Sequence, residues 1–149
     1  MAVTAFWFGL ALKGQWNTTA GNRVDWLTDA IKTALATSSY TPDQDVHDFF
    51  NDVTNEVVGT GYTAGGVTLA GKALTYDTAS NETRLDANDA AWTTASFTAR
   101  YAVVYDSTPG TAATNPLMGY VNFGGDQTVS TGTFTIQWDS TGVLKVTAA

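Results

Sequence analysis

The sequence has no cysteine, three prolines, a single histidine and 7 basic residues in 149. Without cysteine there is no disulfide, no thiolate nucleophile and no cysteine-held zinc. Stability must then come from packing or from association between chains. Lys and Arg total 7 against 14 Asp and Glu, giving a net charge of −7 and an isoelectric point near 4.3. With so few cations and no basic run, direct binding to nucleic acid or to an anionic membrane surface is not expected. No stretch approaches the roughly 20 apolar residues of a membrane-spanning helix. Residues 1–12 are apolar but carry no basic leader and no clear cleavage site, so no signal peptide is read here. The chain is expected to be made and used in soluble form.

Charged residues of both signs make up 14% of the chain, against roughly 25% in an average soluble domain. What replaces them is Thr, Ser and Asn, so the surface is polar but largely uncharged. Threonine is the commonest residue, and with valine it supplies β-branched side chains suited to a pleated, half-buried surface. A content of 44% hydrophobic and 12% aromatic residues is enough to build a core and argues against disorder. The length suits one domain.

Residues 1–20 fit two patterns. Phe6, Phe8, Leu10 and Leu12 alternate as in a strand, while Phe6, Trp7, Leu10 and Ala11 share a helical face. This segment is either the first core element or an arm that packs on a partner chain, and residues 21–149 form a single β-rich domain. A strand is expected within 24–37, strongest over 30–37. Residues 41–54 have the features of a helix. Thr41 suits the N-cap, Pro42 the first turn, and Gln44 the capping-box position, and Asp43 and Asp45 suit the positive end of the helix dipole. Val46, Phe49, Phe50 and Val53 then fall on one face. A glycine-rich connection follows at 59–66.

From residue 67 the period is 2. Val67 and Leu69 have the opposite parity to Leu74 and Tyr76, which predicts a β-bulge at Gly71. Strands are expected at 83–85, 97–105, 117–123 and 133–138, with turns at 77–81 and 86–89 and a loop at 106–115. A turn at 139–142 should close a hairpin onto a last strand, 143–147. The fold class is mainly β: an antiparallel sandwich or barrel with one short inserted helix at about 42–54.

Motifs that carry chemistry fail on inspection. Gly66 to Ala73 imitates a phosphate-binding loop, but Ala73 stands where a Ser or Thr hydroxyl must hold Mg²⁺, and the chain continues as a strand. Asp43, Asp45 and His47 imitate the start of a calcium loop, whose sixth and twelfth positions should be Gly and Glu and here are Asp48 and Thr54. His47 lacks the Gly-x-Ser-x-Gly elbow of a hydrolase. Glu56, Glu82, Asp86 and Asp89 are the candidates for a glycosidase pair, and three of them fall in turns. Lys72 reads as a solvated strand residue. No catalytic residue, metal or cofactor is expected, and the chain reads as a non-enzyme. Of Trp7, Trp16, Trp26, Trp92 and Trp138, the last fits the inward face of a strand. Trp92 follows a turn, and Trp92 or Tyr62 is the candidate sugar-stacking residue of a glycan-binding module.

Several ordered segments carry a resemblance: LATSSYTPDQD at 35–45 with His47 to Phe50, GTGYTAGG at 59–66, Tyr76-Asp77, TARYAVVY at 98–105, GYVNF at 119–123 and FTIQW at 134–138. Over roughly residues 25–149 the chain resembles a family of small proteins encoded among tailed-bacteriophage structural genes. The first 20 residues depart from its pattern. The resemblance implies a virion component, most readily a capsid decoration (cement) protein bound to the major capsid protein or another virion protein, and alternatively a tail, neck or baseplate protein. It implies assembly in the bacterial host cytoplasm and brings no catalytic motif. A homo-oligomer is expected. Phe6, Trp7, Phe8 and Leu10 are the residues expected to contact a partner.

Overall fold

A computed structural model describes residues 2–3, 5–17 and 23–148. In chain order it has strands β1 (Ala2–Val3) and β2 (Phe6–Trp7), a helix α1 (Gly9–Gln15), then β3 (Ile31–Ala36) and a 3-10 turn at Phe50–Asp52. There follow β4 (Val67–Thr68), β5 (Ala73–Asp77), β6 (Glu82–Asp86), β7 (Ala90–Asp106), β8 (Leu117–Trp138) and β9 (Leu144–Thr147). One sheet runs β1-β8-β7-β3-β4, with β2 also on β8, and the other is β5-β6-β9. The fold is mainly β and sandwich-like, with no closed barrel.

The centre of the large sheet is buried on both faces, which is why its strands lose their polar alternation. On β3, Ile31 and Leu35 enter one apolar cluster and Ala34 and Ala36 the other. On β7, Ala102 and Val104 divide from Val103 and Tyr105 in the same way. The larger cluster lies against the small sheet through Leu85, Val143 and Leu144. The smaller is covered by Phe8, Ala11 and Tyr40.

The β7–β8 ribbon is not straight. Phe123 and Phe134 both belong to β8, eleven positions apart, which is about 36 Å along an extended strand. Their ring centroids are 5.9 Å apart. The ribbon therefore curls back on itself. Register shifts at Trp92/Ala95, Ala95/Phe97 and Ala99/Tyr101 supply the bends, with left-handed backbone at Thr94 and Thr131. The curl brings the two ends of β8 to one N-terminal segment: Val3 pairs with Trp138 and Phe6 with Tyr120.

Three expectations are corrected. Among the described residues the α-helix is α1, and 42–54 is not α-helical. Residues 42–54 form turns and the 3-10 turn because short polar side chains take up the backbone donors a helix would use. Asp43 Oδ1 accepts the Asp45 N–H (3.0 Å), and Asp52 Oδ2 accepts those of Asp48 (2.9 Å) and Phe49 (3.3 Å). Phe49 instead bridges to Pro116, and Val46 faces solvent. Second, the parity switch at Gly71 is not a bulge. There the chain leaves β3, which β4 pairs, and enters the small sheet as β5. Third, the turn after Trp138 forms, with the Gly142 N–H on the Asp139 carbonyl (2.8 Å), but β9 pairs with β6 and not with β8. The turn carries the chain across the sandwich, where Val143 and Leu144 are buried.

The two patterns in residues 1–20 both exist, in succession: β2, then α1. The described part of this segment lies on the sheet, with Phe8 and Ala11 in the interior. The expected break between residues 15 and 22 falls partly on residues 18–22, outside the described ones.

Candidate interaction surface

The four residues expected to meet a partner differ widely in exposure. Phe6 is 52% exposed and leans on Tyr120, ring centroids 5.7 Å apart. Trp7 is half-buried and its indole N–H donates to the Lys145 carbonyl (2.8 Å). Phe8 is fully buried against Tyr120 (5.3 Å) and His47 (6.2 Å), so it has no surface to offer a partner. Leu10 is half-buried.

Trp16, just beyond α1, is 80% exposed, and composition alone gave no reason to single it out from the other indoles. It stands at the mouth of a cleft of about 420 Å³, between α1 and the small sheet. Trp7, Leu12, Leu74 and Val146 form the walls and Trp26 the floor, with Arg23 and Asp25 at the rim. Trp26 is fixed there because its indole N–H reaches the carbonyls of Ala73 (2.9 Å) and Asp86 (3.2 Å). The Asp25 carboxyl is held below its ordinary value by hydrogen bonds from Thr28 and then Leu27, so it is ionised at neutral pH.

On the opposite, wet face of the small sheet an ion network ties the strands together. Glu82 meets Arg84 (2.8 Å) and Lys145 (2.9 Å), and Arg84 also meets Asp77 (2.8 Å). Hydrogen bonds from Lys145 and then Arg84 pull the Glu82 carboxyl from 4.5 down to about 2. A carboxyl depressed in the folded state contributes stability that is complete above its ordinary value and lost as pH falls through its folded value. Glu82→Gln is therefore expected to be less stable than wild type at neutral pH, and the two should converge between pH 4.5 and about 2. Urea midpoints measured across that range check this, and a constant gap would contradict it.

The remaining candidates are absorbed into the fold. Trp92 is 3% exposed and stacks on Tyr62 at 6.2 Å. The Tyr62 hydroxyl donates to Glu56 (2.6 Å) and accepts the Leu35 N–H (2.9 Å), and burial together with Glu56 holds it protonated far above its ordinary range. Trp92 is core and has no face to offer a sugar, while Tyr62 is partly buried with its ring against Trp92 and Phe97. Trp138 is core, as its alternation indicated. Asp86 Oδ1 accepts the Ala87 N–H (2.9 Å) and Asp89 Oδ1 that of Trp138 (3.0 Å). Together with Glu56 and Glu82, these four carboxylates each serve a separate local contact.

His47 is half-buried, not solvated. Its Nδ1 lies 3.0 Å from the Tyr40 hydroxyl and accepts the Asp43 N–H at 3.3 Å, while its ring stacks on Tyr40. Lys72 precedes β5 and is not a strand residue, and it is partly buried with its ammonium donating to the Asp29 carbonyl. Among the described residues no group of three His, Cys, Asp or Glu is placed to hold a metal ion, and no helix is long and apolar enough to cross a membrane. No known protein family, curated protein or solved structure matches the chain.

Proposed function

We propose that the chain is a structural protein of a tailed-phage virion, docked on the head shell as a decoration protein. The reading rests on the ordered resemblance across residues 25–149. Its candidate contact residues are two exposed aromatics on the segment that departs from the family's pattern, Trp16 at the cleft and Phe6 against Tyr120. Exposed aromatics of this kind anchor protein interfaces. A net-acidic, Thr-rich surface keeps the free chain soluble, and many copies on one shell let each contact be modest.

Deletion of residues 1–14 is a poor test, because it would also remove Phe8 and Ala11 from the interior. Point variants separate docking from folding. Recombinant chain added to heads that lack it should co-sediment with them. The Phe6→Ala/Trp16→Ala double variant should bind about tenfold or more weakly while melting within a few degrees of wild type. Gold labelling of whole particles distinguishes the second reading, a tail, neck or baseplate protein, by position. Label on the tail with none on the head would overturn the decoration reading, and a double variant that binds like wild type would overturn the contact surface.

A further inference from the structure

Strand β5 is an edge: it pairs with β6 on one side, and among the described residues no strand pairs with the other. Sheets guard such edges with lysine, proline or bulges. The five residues of β5, Ala73, Leu74, Thr75, Tyr76 and Asp77, include none of these. The one charge, Asp77, is neutralised by Arg84 at 2.8 Å. Leu74 pairs with Leu85 and shares its face, the side of the sheet turned to the core, and Tyr76 lies two positions on along the same face. Yet Leu74, in the wall of the cleft, is 48% and Tyr76 55% exposed. Thr75 points to the other, solvated face and is exposed.

We propose that β5 pairs with β5 of a second copy, antiparallel, about a two-fold axis through Thr75. The five-residue strand is self-complementary in that register. Leu74 of each copy meets Tyr76 of the other, an aliphatic–aromatic pair formed twice on the inner face. Thr75 meets Thr75 on the outer face, and the small Ala73 lies opposite Asp77. Aromatic–aliphatic and Thr–Thr pairs across strands are favourable, and no unpaired charge meets its like. The two small sheets become one of six strands, β9-β6-β5 continued by β5-β6-β9. The contact is isologous, so it closes as a dimer and does not propagate as a fibre. It stands independently of the virion reading.

Sedimentation equilibrium on the full chain tests it. Wild type should dimerise, and the amides of Leu74 and Tyr76, which face the free edge, should gain hydrogen-exchange protection as concentration rises. Thr75→Lys and Thr75→Glu each place like charges directly across the axis and should weaken association at least about tenfold. Far-UV circular dichroism should stay unchanged, because the side chain faces water. An equimolar mixture of the two variants should restore the dimer. Three results would overturn the proposal: a wild-type chain that is monomeric at submillimolar concentration, variants that dimerise as tightly as wild type, or a mixture that stays monomeric. A monomer whose β5 captures an added extended peptide would also overturn it, in favour of a foreign strand at this edge.

Discussion

Phe8→Ala is expected to destabilise the fold by about 3–5 kcal/mol, the usual cost of emptying a fully buried aromatic site. For a domain of this size the melting temperature should fall by roughly 10 °C. Three features place the expected effect in that range. The ring is 0% exposed and lies between Tyr120 and His47, which themselves belong to a chain of aromatic contacts running through Tyr40 to Tyr101. The backbone is fixed on either side, by Phe8 N–H to the Met118 carbonyl (3.0 Å) and Gly9 N–H to the Gln44 carbonyl (2.9 Å). The vacated space therefore cannot collapse. The residue also joins the N-terminal segment to the 40–50 loop, so its loss loosens two regions together. Differential scanning calorimetry gives the number. A change below about 1 kcal/mol would mean that residues 1–15 are not part of the cooperative core.

Gly66→Ala is expected to cost about 3 kcal/mol or more, with the same calorimetric check. The residue has φ +72°, where a Cβ is strained. That atom would also lie 1.9 Å from the Thr33 carbonyl oxygen and 2.6 Å from the Ala34 Cα, which are backbone atoms of the central strand β3 and cannot rotate away. The 59–66 connection would have to lift off the sheet. Lifting would break the Glu56–Tyr62–Gly65 hydrogen bonds and the Tyr105 hydroxyl bond to the Gly65 carbonyl (2.8 Å), so the damage should spread. Gly110→Ala makes the contrast, since it also has positive φ but meets nothing within 4 Å. It should cost only the backbone strain, about 1–2 kcal/mol.

The parts of the fold that could be read from sequence are those where side-chain contrast is high. Phe97 to Tyr101 and Phe134 to Trp138 alternate apolar with polar residues, and both are strand. The ribbon's other halves, 90–96 and 124–133, hold few large apolar residues, Trp92 and Val129 among mostly small or polar ones, so β7 and β8 are much longer than their readable parts. The 41–54 segment failed for another reason. Its apolar spacing is helical, but Asp43 and Asp52 satisfy backbone donors locally, and which partner wins is a tertiary outcome. Strand partners were hidden as well: nothing in residues 133–147 says that β9 will cross to β6. Of the contact surface, Phe6 was legible as an apolar residue at the N-terminus. Trp16 was not, because exposure of an indole depends on how far the small sheet extends beneath it.

The pairing of β1 and β2 with β8 has a consequence for synthesis. Ala2 finds its partner at Gln137, and Phe6 at Tyr120. At roughly 5–20 residues per second, the ribosome takes on the order of ten seconds to make the chain between them. Throughout that interval Phe6, Trp7 and Phe8 have no strand to join, while β7 can pair with β8 across a short loop as soon as both emerge. Residues 6–8 are thus made well before they can be placed, and this apolar segment waits in solvent until β8 has emerged.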